Sequence, residues 1–295
     1  MAVDTRLQKA FSKAHRLPWN DGSRYVFLSD CHRGCGTSND NFLKNESLFF
    51  AALQYYYRHG YTYIELGDGD ELWENRSIRQ IMDIHSDVFK LMSRFYQEGR
   101  LYMIYGNHDC VKRSENFVRQ HCTSYYCSEK REWVPLFSGI RFHEGMILEN
   151  EGRGPDLYLT HGHQADLLNS SLWRLSRFLV RYVWKPLEHA GFLDPTSAAK
   201  NNTKKDAVEQ HLVSWAKKHS CILICGHTHR PSLDTQNQTP YLNTGSCVHP
   251  RGITAIELTG KDFTLVKWTY CIRSDYSLYV CREILAGPLA FDQAE

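Results

Sequence analysis

The stretch Ile64-Glu65-Leu66-Gly67-Asp68-Gly69-Asp70-Glu71 decides the fold that the sequence predicts. The aromatic and branched residues at 61–66 are typical of a short buried strand, which ends at Gly67. Glycine adopts backbone conformations that other residues resist, so the chain can turn sharply and hold Asp68 at the carboxyl end of the strand. Open α/β sheets bind ligands at that edge. The three neighbouring carboxylates indicate either a cation among them or a solvated acidic turn.

The chain is long and apolar enough to bury a large core, with 295 residues of which 42% are hydrophobic. This length suits one sizeable domain or two small ones. The net charge is +2, the pI is about 8.0 and the charges are dispersed, so no polybasic segment indicates a nucleic-acid partner. Residues 1–20 lack the apolar core of a signal peptide, and no apolar run is long enough to span a bilayer. We therefore expect a cytoplasmic protein.

The ten cysteines are interpreted as reduced and mostly buried thiols. Several lie in apolar runs such as 221–225, and their spacings fit zinc ribbons poorly. The fifteen histidines are more informative, because many of them cluster.

Five predicted strands are each followed directly by polar residues that can bind a metal. One such cluster is weak evidence, because a histidine after a strand is usually a surface residue. Five clusters at the carboxyl ends of strands indicate a shared site. Imidazole, carboxylate and amide oxygen suit divalent ions such as Mn, Fe or Zn. The clusters are Asp30 and His32, Asp68, Asn107 and His108, His161 and His163, and His227 and His229.

The hydrophobic pattern alternates short strands with helices. We expect residues 1–23 to form a lead-in with one helix, and residues 140–148 to form a hairpin that turns at Gly145. In extended backbone, residues two apart face the same side, so Asp30 and His32 should share a face, as should His227 and His229. Further strands are predicted at 25–29, 61–66, 101–105, 156–160, 221–225, 241–246, 253–258, 263–270 and 278–284, and helices at 42–58, 78–97 and 206–218.

These clusters resemble, in order, the five motifs of the calcineurin-like metallophosphoesterase superfamily. They are Asp30-x-His32, Gly67-Asp68-x-x-Glu71, Gly106-Asn107-His108-Asp109, His161-Gly162 and Gly226-His227-x-His229. Many members of the superfamily have Asp at the position of Glu71. The resemblance implies an α/β fold, a four-layer αββα sandwich of two mixed sheets flanked by helices.

The resemblance also implies two divalent metal ions (Mn, Fe or Zn) in one site. The first ion would be held by Asp30, His32, Asp68 and His229, and the second by Asp68, Asn107, His161 and His227. Two such ions bring about four positive charges, whereas the two Asp side chains and a bridging hydroxide return three, so the site attracts a phosphate. Metals also lower the pKa of bound water from about 15.7 to about 7, which supplies the hydroxide.

His108 is the candidate general acid for the leaving oxygen, oriented by Glu71 or Asp109. The alternative is a structural histidine beside the metal ligands. Arg33, His163 and Arg230 are candidate substrate-binding residues. Arg33 and Arg230 could bind a phosphate bidentately or form salt bridges with Asp70 or Glu74 instead.

Residues 24–163 and 221–295 are predicted to form the metallophosphoesterase domain, interrupted by a helical lid insertion at 164–220. This layout is similar to that of the bacterial UDP-2,3-diacylglucosamine pyrophosphohydrolases, which also carry Gly-Asp-x-x-Glu-x-Trp, here Gly67 to Trp73. Two departures are His108, where those enzymes have Arg, and His163, where they have Asp. The resemblance therefore covers the fold and the lid but not the substrate.

The lid insertion has a strongly apolar segment at 172–184, with basic residues along one face. That face could make a peripheral membrane contact or bind a lipid-linked phosphate. Alternatively, a cap helix buries its apolar face and exposes its basic residues to solvent. The basic residues are Arg174, Arg177, Arg181 and Lys185.

We expect a dinuclear metal-dependent hydrolase of a phosphodiester or pyrophosphate bond in a phosphorylated small molecule or lipid-linked substrate. No oligomeric state is predicted. A nuclease shares this metal chemistry but is disfavoured by the near-neutral charge, and a protein phosphatase by the bulky lid. A non-catalytic scaffold on the same fold would be expected to lack some of the ligands, which this sequence retains.

Overall fold

The computed structural model describes residues 3–37, 40–152, 154–170, 173–180, 182 and 202–291. Two mixed β-sheets dominate these residues. Among the described helices, none combines the length and the apolar character that crossing a lipid bilayer requires. The strands are β1 (His15–Trp19), β2 (Arg24–Leu28), β3 (Thr62–Leu66), β4 (Leu101–Ile104), β5 (Ser124–Cys127), β6 (Glu132–Pro135), β7 (Phe142–His143), β8 (Gly145–Asn150), β9 (Leu157–Thr160), β10 (Ile222–Cys225), β11 (Tyr241–Asn243), β12 (Ile253–Thr259), β13 (Asp262–Ile272) and β14 (Leu278–Ala290).

The described helices cover the outer faces of the two sheets. Helices α2 and α4 pack on the seven-stranded sheet, α3 packs on β5 and α4, and α1 and α8 pack on the five-stranded sheet. Short 3₁₀ turns at 110–113 and 163–165 connect strand ends to helices. The helices are α1 (Val3–Phe11), α2 (Glu46–Arg58), α3 (Ile78–Ile84), α4 (Ser86–Gln97), α5 (Glu115–His121), α6 (Leu167–Ser170), α7 (Trp173–Leu179) and α8 (Asn202–Lys218).

The larger sheet has the strand order β14-β13-β12-β2-β3-β4-β7, and the smaller sheet has the order β1-β8-β9-β10-β11. In the larger sheet, β2, β3, β4 and β7 run parallel, and β12 to β14 add antiparallel strands beside β2. In the smaller sheet, β9, β10 and β11 run parallel. Strands β5 and β6 form a separate hairpin.

Alternation along the strands explains why the sheets pack face to face. In β2, Phe27 faces the smaller sheet, whereas Val26 and Leu28 face the helices, and all three are fully buried. The layer between the sheets buries Ile64 and Leu66 of β3 against apolar residues of β8, β9 and β10. Burial of apolar surface on both faces of each sheet fixes the four-layer order. The predicted αββα sandwich is confirmed.

The packing brings five predicted metal-binding clusters to one edge of the sandwich. Strands β2, β3 and β4 are parallel neighbours, so the clusters that follow them leave the same edge of the larger sheet. Strands β9 and β10 are parallel neighbours in the smaller sheet and carry the two histidine-rich clusters. Because the two sheets are stacked, these strand ends face one another.

The prediction for residues 1–23 is only partly right. Helix α1 ends at Phe11, and the following residues form β1, which pairs in parallel with β8. Leu7 and Phe11 pack on the outer face of the smaller sheet. More exposed and less exposed residues alternate along β1. In the sequence this segment resembles a polar loop, so its pairing with β8 was not predicted. The predicted domain boundaries stay a prediction.

The predicted hairpin at 140–148 is wrong. Strand β7 pairs with β4 in the larger sheet, whereas β8 pairs with β1 and β9 in the smaller sheet. The segment therefore crosses from one sheet to the other. Alternation within a short apolar run cannot distinguish a hairpin from a strand that changes sheets.

The lid insertion is described in part. Helix α7 covers Trp173–Leu179, and α8 begins at Asn202, four residues before the predicted start. The predicted basic residues Arg181 and Lys185 lie outside the described residues.

The prediction that all cysteines are reduced is wrong for one pair. Cys271 and Cys281 form a disulfide between the adjacent antiparallel strands β13 and β14. The remaining cysteines carry thiols, and all of them except Cys35 are buried. No sequence signal distinguishes these two cysteines from the others, because the disulfide depends on the register of two strands.

The single helix predicted at 78–97 is two helices, separated by His85. The imidazole is fully buried, with Nε2 2.9 Å from Asp40 Oδ2 and Nδ1 2.9 Å from Glu46 Oε1. Burial alone would lower the pKa of His85, but the hydrogen bonds to the two carboxylates outweigh it and raise the pKa to about 9. The charged ring therefore ties α2 and the loop before it to the α3–α4 junction.

We predict that His85 makes the stability of the fold depend on pH. Its pKa is higher in the folded chain, so its contribution is complete below about pH 6.5 and is lost as the pH rises to about 9. Over that interval, the wild type should lose on the order of 3 kcal/mol of unfolding free energy relative to His85→Gln. Urea unfolding at several pH values measures this difference.

The matched control is His59→Gln, because His59 is exposed at the end of α2. The stability of the His59→Gln variant should vary with pH as that of the wild type does. Parallel profiles for the wild type and His85→Gln would contradict the prediction.

Candidate metal centre

Five of the predicted ligands hold their backbones in the left-handed region. Their φ angles are 52° for Asp30, 48° for His32, 50° for Asp68, 69° for His227 and 55° for His229. Such angles are uncommon for residues other than glycine and cost about 1–3 kcal/mol each, although Asp and His adopt them more readily than most. The extended geometry predicted for the pairs 30/32 and 227/229 is therefore wrong, and the strand ends curl to aim the side chains.

One group of ligand atoms comes from Asp30, His32 and His229. His229 Nε2 lies 3.0 Å from Asp30 Oδ1 and 3.3 Å from His32 Nε2. His32 Nε2 lies 3.8 Å from Asp30 Oδ1. Two imidazole nitrogens and a carboxylate oxygen at these separations fit a single divalent ion.

A second group comes from Asp68, His161 and His227. His161 Nε2 lies 3.1 Å from Asp68 Oδ2. The same Asp68 oxygen lies 3.9 Å from His32 Nε2, in the first group. Asp68 therefore lies between the two groups, the position that a bridging carboxylate occupies.

Several buried ligand atoms fit metal ions because they form no hydrogen bond. Within the described part of the chain, four of them form no hydrogen bond: Asp30 Oδ1, Asn107 Oδ1, His161 Nε2 and His227 Nε2. A buried polar atom without a hydrogen bond is costly, and a cation in the first group would satisfy Asp30 whereas a cation in the second would satisfy the other three. Asp30, Asn107, His161 and His227 are each at most 4% exposed.

The second oxygen or nitrogen of several ligands is held by the backbone. Asp30 Oδ2 accepts a hydrogen bond from the His227 amide at 2.9 Å, and Asp68 Oδ1 accepts one from the His108 amide at 2.8 Å. His161 Nδ1 donates to the carbonyl of Leu66 at 2.8 Å, which leaves Nε2 to face Asp68. These bonds fix the orientation of each ligand, as is usual around metal sites.

Two glycines allow the strand ends to approach one another. Gly67 has φ +90°, and a Cβ there would lie 2.8 Å from the Gly106 amide nitrogen and the His161 ring. A Cβ at Gly106 would overlap the Asp68 carboxylate. Any side chain at either position would displace a predicted ligand.

The electrostatics of the centre favour positive charge. Burial would raise the pKa of Asp68, but His161 and His108 outweigh it and lower the pKa. Burial would lower the pKa of His161, but Asp68 and Asp30 raise it to about 9. The carboxylates therefore stabilise positive charge on the His161 ring.

His108 is oriented by Glu71, one of the two predicted partners. Its Nδ1 lies 2.7 Å from Glu71 Oε2, and its ring stacks on Trp73 with centroids 4.3 Å apart. Glu71 Oε2 also lies 2.9 Å from His32 Nδ1, so one carboxylate positions both rings. The bond between Glu71 and His32 was not predicted, because the spacing of the motif does not show which histidine ring lies nearer to Glu71.

The prediction that Asp109 orients His108 is wrong. Asp109 Oδ1 accepts from the Gly106 amide at 2.7 Å, and Oδ2 lies 2.7 Å from Lys112 Nζ. Asp109 is buried below the centre and stabilises the turn that carries Asn107.

The prediction that Arg33 binds substrate is also wrong, because its side chain is fully buried. Its guanidinium bonds to both oxygens of Glu65 at 2.8 Å, and Nε bonds to Asp70 Oδ1 at 2.7 Å. Lys112 Nζ lies 2.6 Å from Asp70 Oδ2, so these residues form a continuous ion-pair network with Asp109. The salt-bridge alternative holds for Asp70.

Arg230 and His163 make different contacts. Arg230 is about a third exposed and bonds to Asp206 Oδ1 at 2.6 Å and Glu209 Oε2 at 3.3 Å on α8. His163 is buried, with its ring centroid 5.5 Å from that of His161. Burial and the neighbouring His161 hold the pKa of His163 well below its usual range. Their roles in substrate binding stay predictions.

One residue near the second group was not predicted. Asp166 Oδ2 lies 3.9 Å from His227 Nε2. Its position three residues after His163 was assigned to the start of the lid, and no motif marks it. Only the turn at 163–165 brings it back to the centre.

The fold and this edge define a two-sheet sandwich with two adjoining ligand groups. Residues 25–259 match the family model of the calcineurin-like phosphoesterase superfamily domain. Since the match covers well over half of the chain, the chain belongs to the calcineurin-like phosphoesterase superfamily.

Similar solved structures include the crystal structure of Chaetomium thermophilum Vps29, with 10% identity and a TM-score of 0.42 over 90% of this chain and 96% of that chain. Another is Chaetomium thermophilum Vps29 complexed with the RaPID-derived cyclic peptide RT-D3, with 11% identity and a TM-score of 0.37 over 89% of this chain and 95% of that chain. Likenesses this distant carry no argument about function. No curated protein matches the chain.

We predict that the buried network below the centre depends on Lys112, which is 1% exposed. Lys112→Met removes the shared cation of Asp70 and Asp109 and should lower the free energy of unfolding by about 3–5 kcal/mol. Chemical denaturation measures the loss, and Asp109→Asn in the same chain should restore part of it by removing one uncompensated charge.

The control is Lys90→Met, which breaks a surface pair with Asp87 and should cost at most about 1 kcal/mol. Equal losses of unfolding free energy for the two lysine variants would show that the buried network contributes no more to stability than the surface pair does.

Proposed function

We propose that this chain is a metal-dependent hydrolase that cleaves a phosphodiester or pyrophosphate bond and uses two divalent ions. The observation that carries the proposal is the pair of ligand groups that meet at Asp68, several of whose buried ligand atoms form no hydrogen bond. The proposed ligands are Asp30, His32, Asp68, Asn107, His161, His227 and His229.

The donor set supports Mn, Fe or Zn, because it consists of imidazole, carboxylate and amide groups. Only Asp30 and Asp68 contribute negative charge, so a pair of divalent ions would leave the centre electropositive towards a phosphate. When bound, such a pair lowers the pKa of water to about 7 and polarises the bonds at phosphorus. The complete set of ligand positions supports a catalytic role over a scaffold.

His108 is the proposed general acid for the leaving oxygen. Glu71 holds its Nδ1, and Trp73 supports its ring, which leaves Nε2 to give up a proton. Burial would lower the pKa of His108, but Glu71 and Asp68 outweigh it and raise the pKa. A raised pKa favours the protonated ring that this role requires.

The substrate is proposed only as a class. The resemblance to the bacterial UDP-2,3-diacylglucosamine pyrophosphohydrolases covers the fold and the lid only, and the departures at His108 and His163 leave the choice between a phosphodiester and a pyrophosphate a prediction. A peripheral membrane contact through the lid, a nuclease and a protein phosphatase likewise stay predictions.

We predict that the purified chain binds divalent metal through Asp68. Asp68→Asn should lose metal affinity by at least about 100-fold, since the residue contributes to both groups. Elemental analysis after reconstitution with Mn, Fe or Zn measures the content, together with turnover of a bis-aryl phosphodiester.

Asp87→Asn is the matched control, because Asp87 is an exposed aspartate on α4. It should keep wild-type metal content and turnover. Less than about one metal per wild-type chain, with no turnover under any of the three metals, would contradict the proposed function.

We predict that His108→Ala retains metal but becomes sensitive to the leaving group. General acid catalysis contributes about 10²–10⁴ in rate, so esters with poorly activated alcohols should slow by that factor and aryl esters much less. Steady-state kinetics on a series of leaving groups measure the difference. An equal loss for good and poor leaving groups would assign His108 a structural role.

A further inference from the structure

Helix α8 contacts the loop at 226–230, which follows β10 and carries two of the proposed metal ligands. The Thr228 hydroxyl donates to Glu209 Oε1 on α8 at 2.7 Å. Arg230 Nη1, in the same loop, lies 3.3 Å from Glu209 Oε2. Both oxygens of one carboxylate on α8 therefore bond to the loop that carries His227 and His229.

Thr228 lies between one ligand of each proposed metal ion. His229 belongs to the first group of ligand atoms, and His227 belongs to the second. Each of these histidines is joined to Thr228 by a single peptide bond. A shift of Thr228 would therefore displace a ligand of both ions at once.

The loop needs such support because both histidines hold left-handed backbones, with φ 69° at His227 and 55° at His229. This conformation is uncommon for residues other than glycine and persists only where the surroundings impose it. Thr228 is fully buried, and its hydroxyl accepts from Asn243 Nδ2 at 3.1 Å while it donates to Glu209. Side chains from α8 and β11 thus hold the middle of the loop.

The position of Glu209 is itself fixed by the packing of α8. The buried residues of this helix share an apolar cluster with Leu223 and Cys225 of β10, the strand that leads into the loop. Their spacing places them on one face of the helix, and Glu209 follows the first of them with its side chain 19% exposed. The buried residues are Val208, Leu212, Trp215 and Ala216.

We propose that Glu209 is a positioning residue for the metal centre, which acts through Thr228 on a ligand of each ion. This inference rests on the proposed function and adds a residue that lies outside the five motifs. A hydrogen bond from a hydroxyl to a carboxylate is stronger than one between neutral groups, so it can hold a strained loop. Groups that orient metal ligands in this way commonly change metal affinity by 10- to 100-fold.

Titration of the metal-free full chain with manganese tests the proposal, with free Mn²⁺ measured by electron paramagnetic resonance. Thr228→Val keeps the shape of the side chain but removes the hydroxyl, and Glu209→Ala removes the carboxylate. Each should weaken the binding of both ions by about 10- to 100-fold. Thr228→Ser retains the hydroxyl and should restore most of the affinity.

Asp206→Asn is the matched control, because Asp206 lies one turn earlier on α8 and bonds to Arg230 Nη1 at 2.6 Å. It removes a nearby negative charge and leaves the bond between Thr228 and Glu209 in place, so it should keep the wild-type affinities. Urea unfolding of each metal-free variant identifies conditions in which it is fully folded, and the titrations are made there. Glu209→Ala changes a partly exposed helix residue, so the test stands even where Thr228→Val fails to fold.

Wild-type manganese affinities in Thr228→Val and Glu209→Ala overturn the inference. A loss confined to one ion also overturns it, as does an equal loss in Asp206→Asn. Failure of the proposed function has a different signature, which is a wild type that binds less than about one metal per chain and turns over no bis-aryl phosphodiester. That result overturns the inference as well, whereas failure of the inference alone leaves manganese binding by the wild type intact.

Discussion

The shared position of the Asp68 carboxylate is the constraint on which the centre depends. One of its oxygens is fixed by the His108 amide, and the other faces histidines from both sheets. That arrangement requires the end of β3 to lie within a few ångströms of β9. The apolar layer between the two stacked sheets sets this distance. The packing of Leu66 and its neighbours therefore determines the geometry of the centre.

The left-handed backbones of five ligands have a structural origin in that packing. Each is less stable than an extended conformation, and each persists because the strand before it is held on both sides by the sheet. The buried network of Arg33, Glu65, Asp70, Lys112 and Asp109 adds support from below. Two cations are shared by three carboxylates, so every charged group in the network contacts a group of opposite charge, which is the condition under which buried ions are tolerated. The backbone is thus strained at the ligands, and the ion-pair network beneath them is rigid.

The sequence predicted the strands that lead into the motifs, because apolar runs followed by Asp, His and Asn are local signals. It did not predict the backbone conformation of the motif residues. A spacing of two residues in the sequence is compatible with an extended backbone and with a left-handed one. Arg33 and Asp109 were misassigned because adjacency to a ligand in sequence does not show on which side of the strand a side chain lies. Strand β1 and the crossing at Gly145 depend on pairing with distant segments, which periodicity cannot reveal.

The N-terminal segment has a consequence for how this domain can diversify. Helix α1 supplies two basic residues, Arg6 and Lys9, to a cavity that His163 also lines, yet it makes none of the ligand contacts and precedes the first motif. A substitution at either basic residue would change the charge beside the centre and leave every proposed ligand in place. The charge of the surroundings and the identity of the ligands are therefore encoded in separate stretches of the chain.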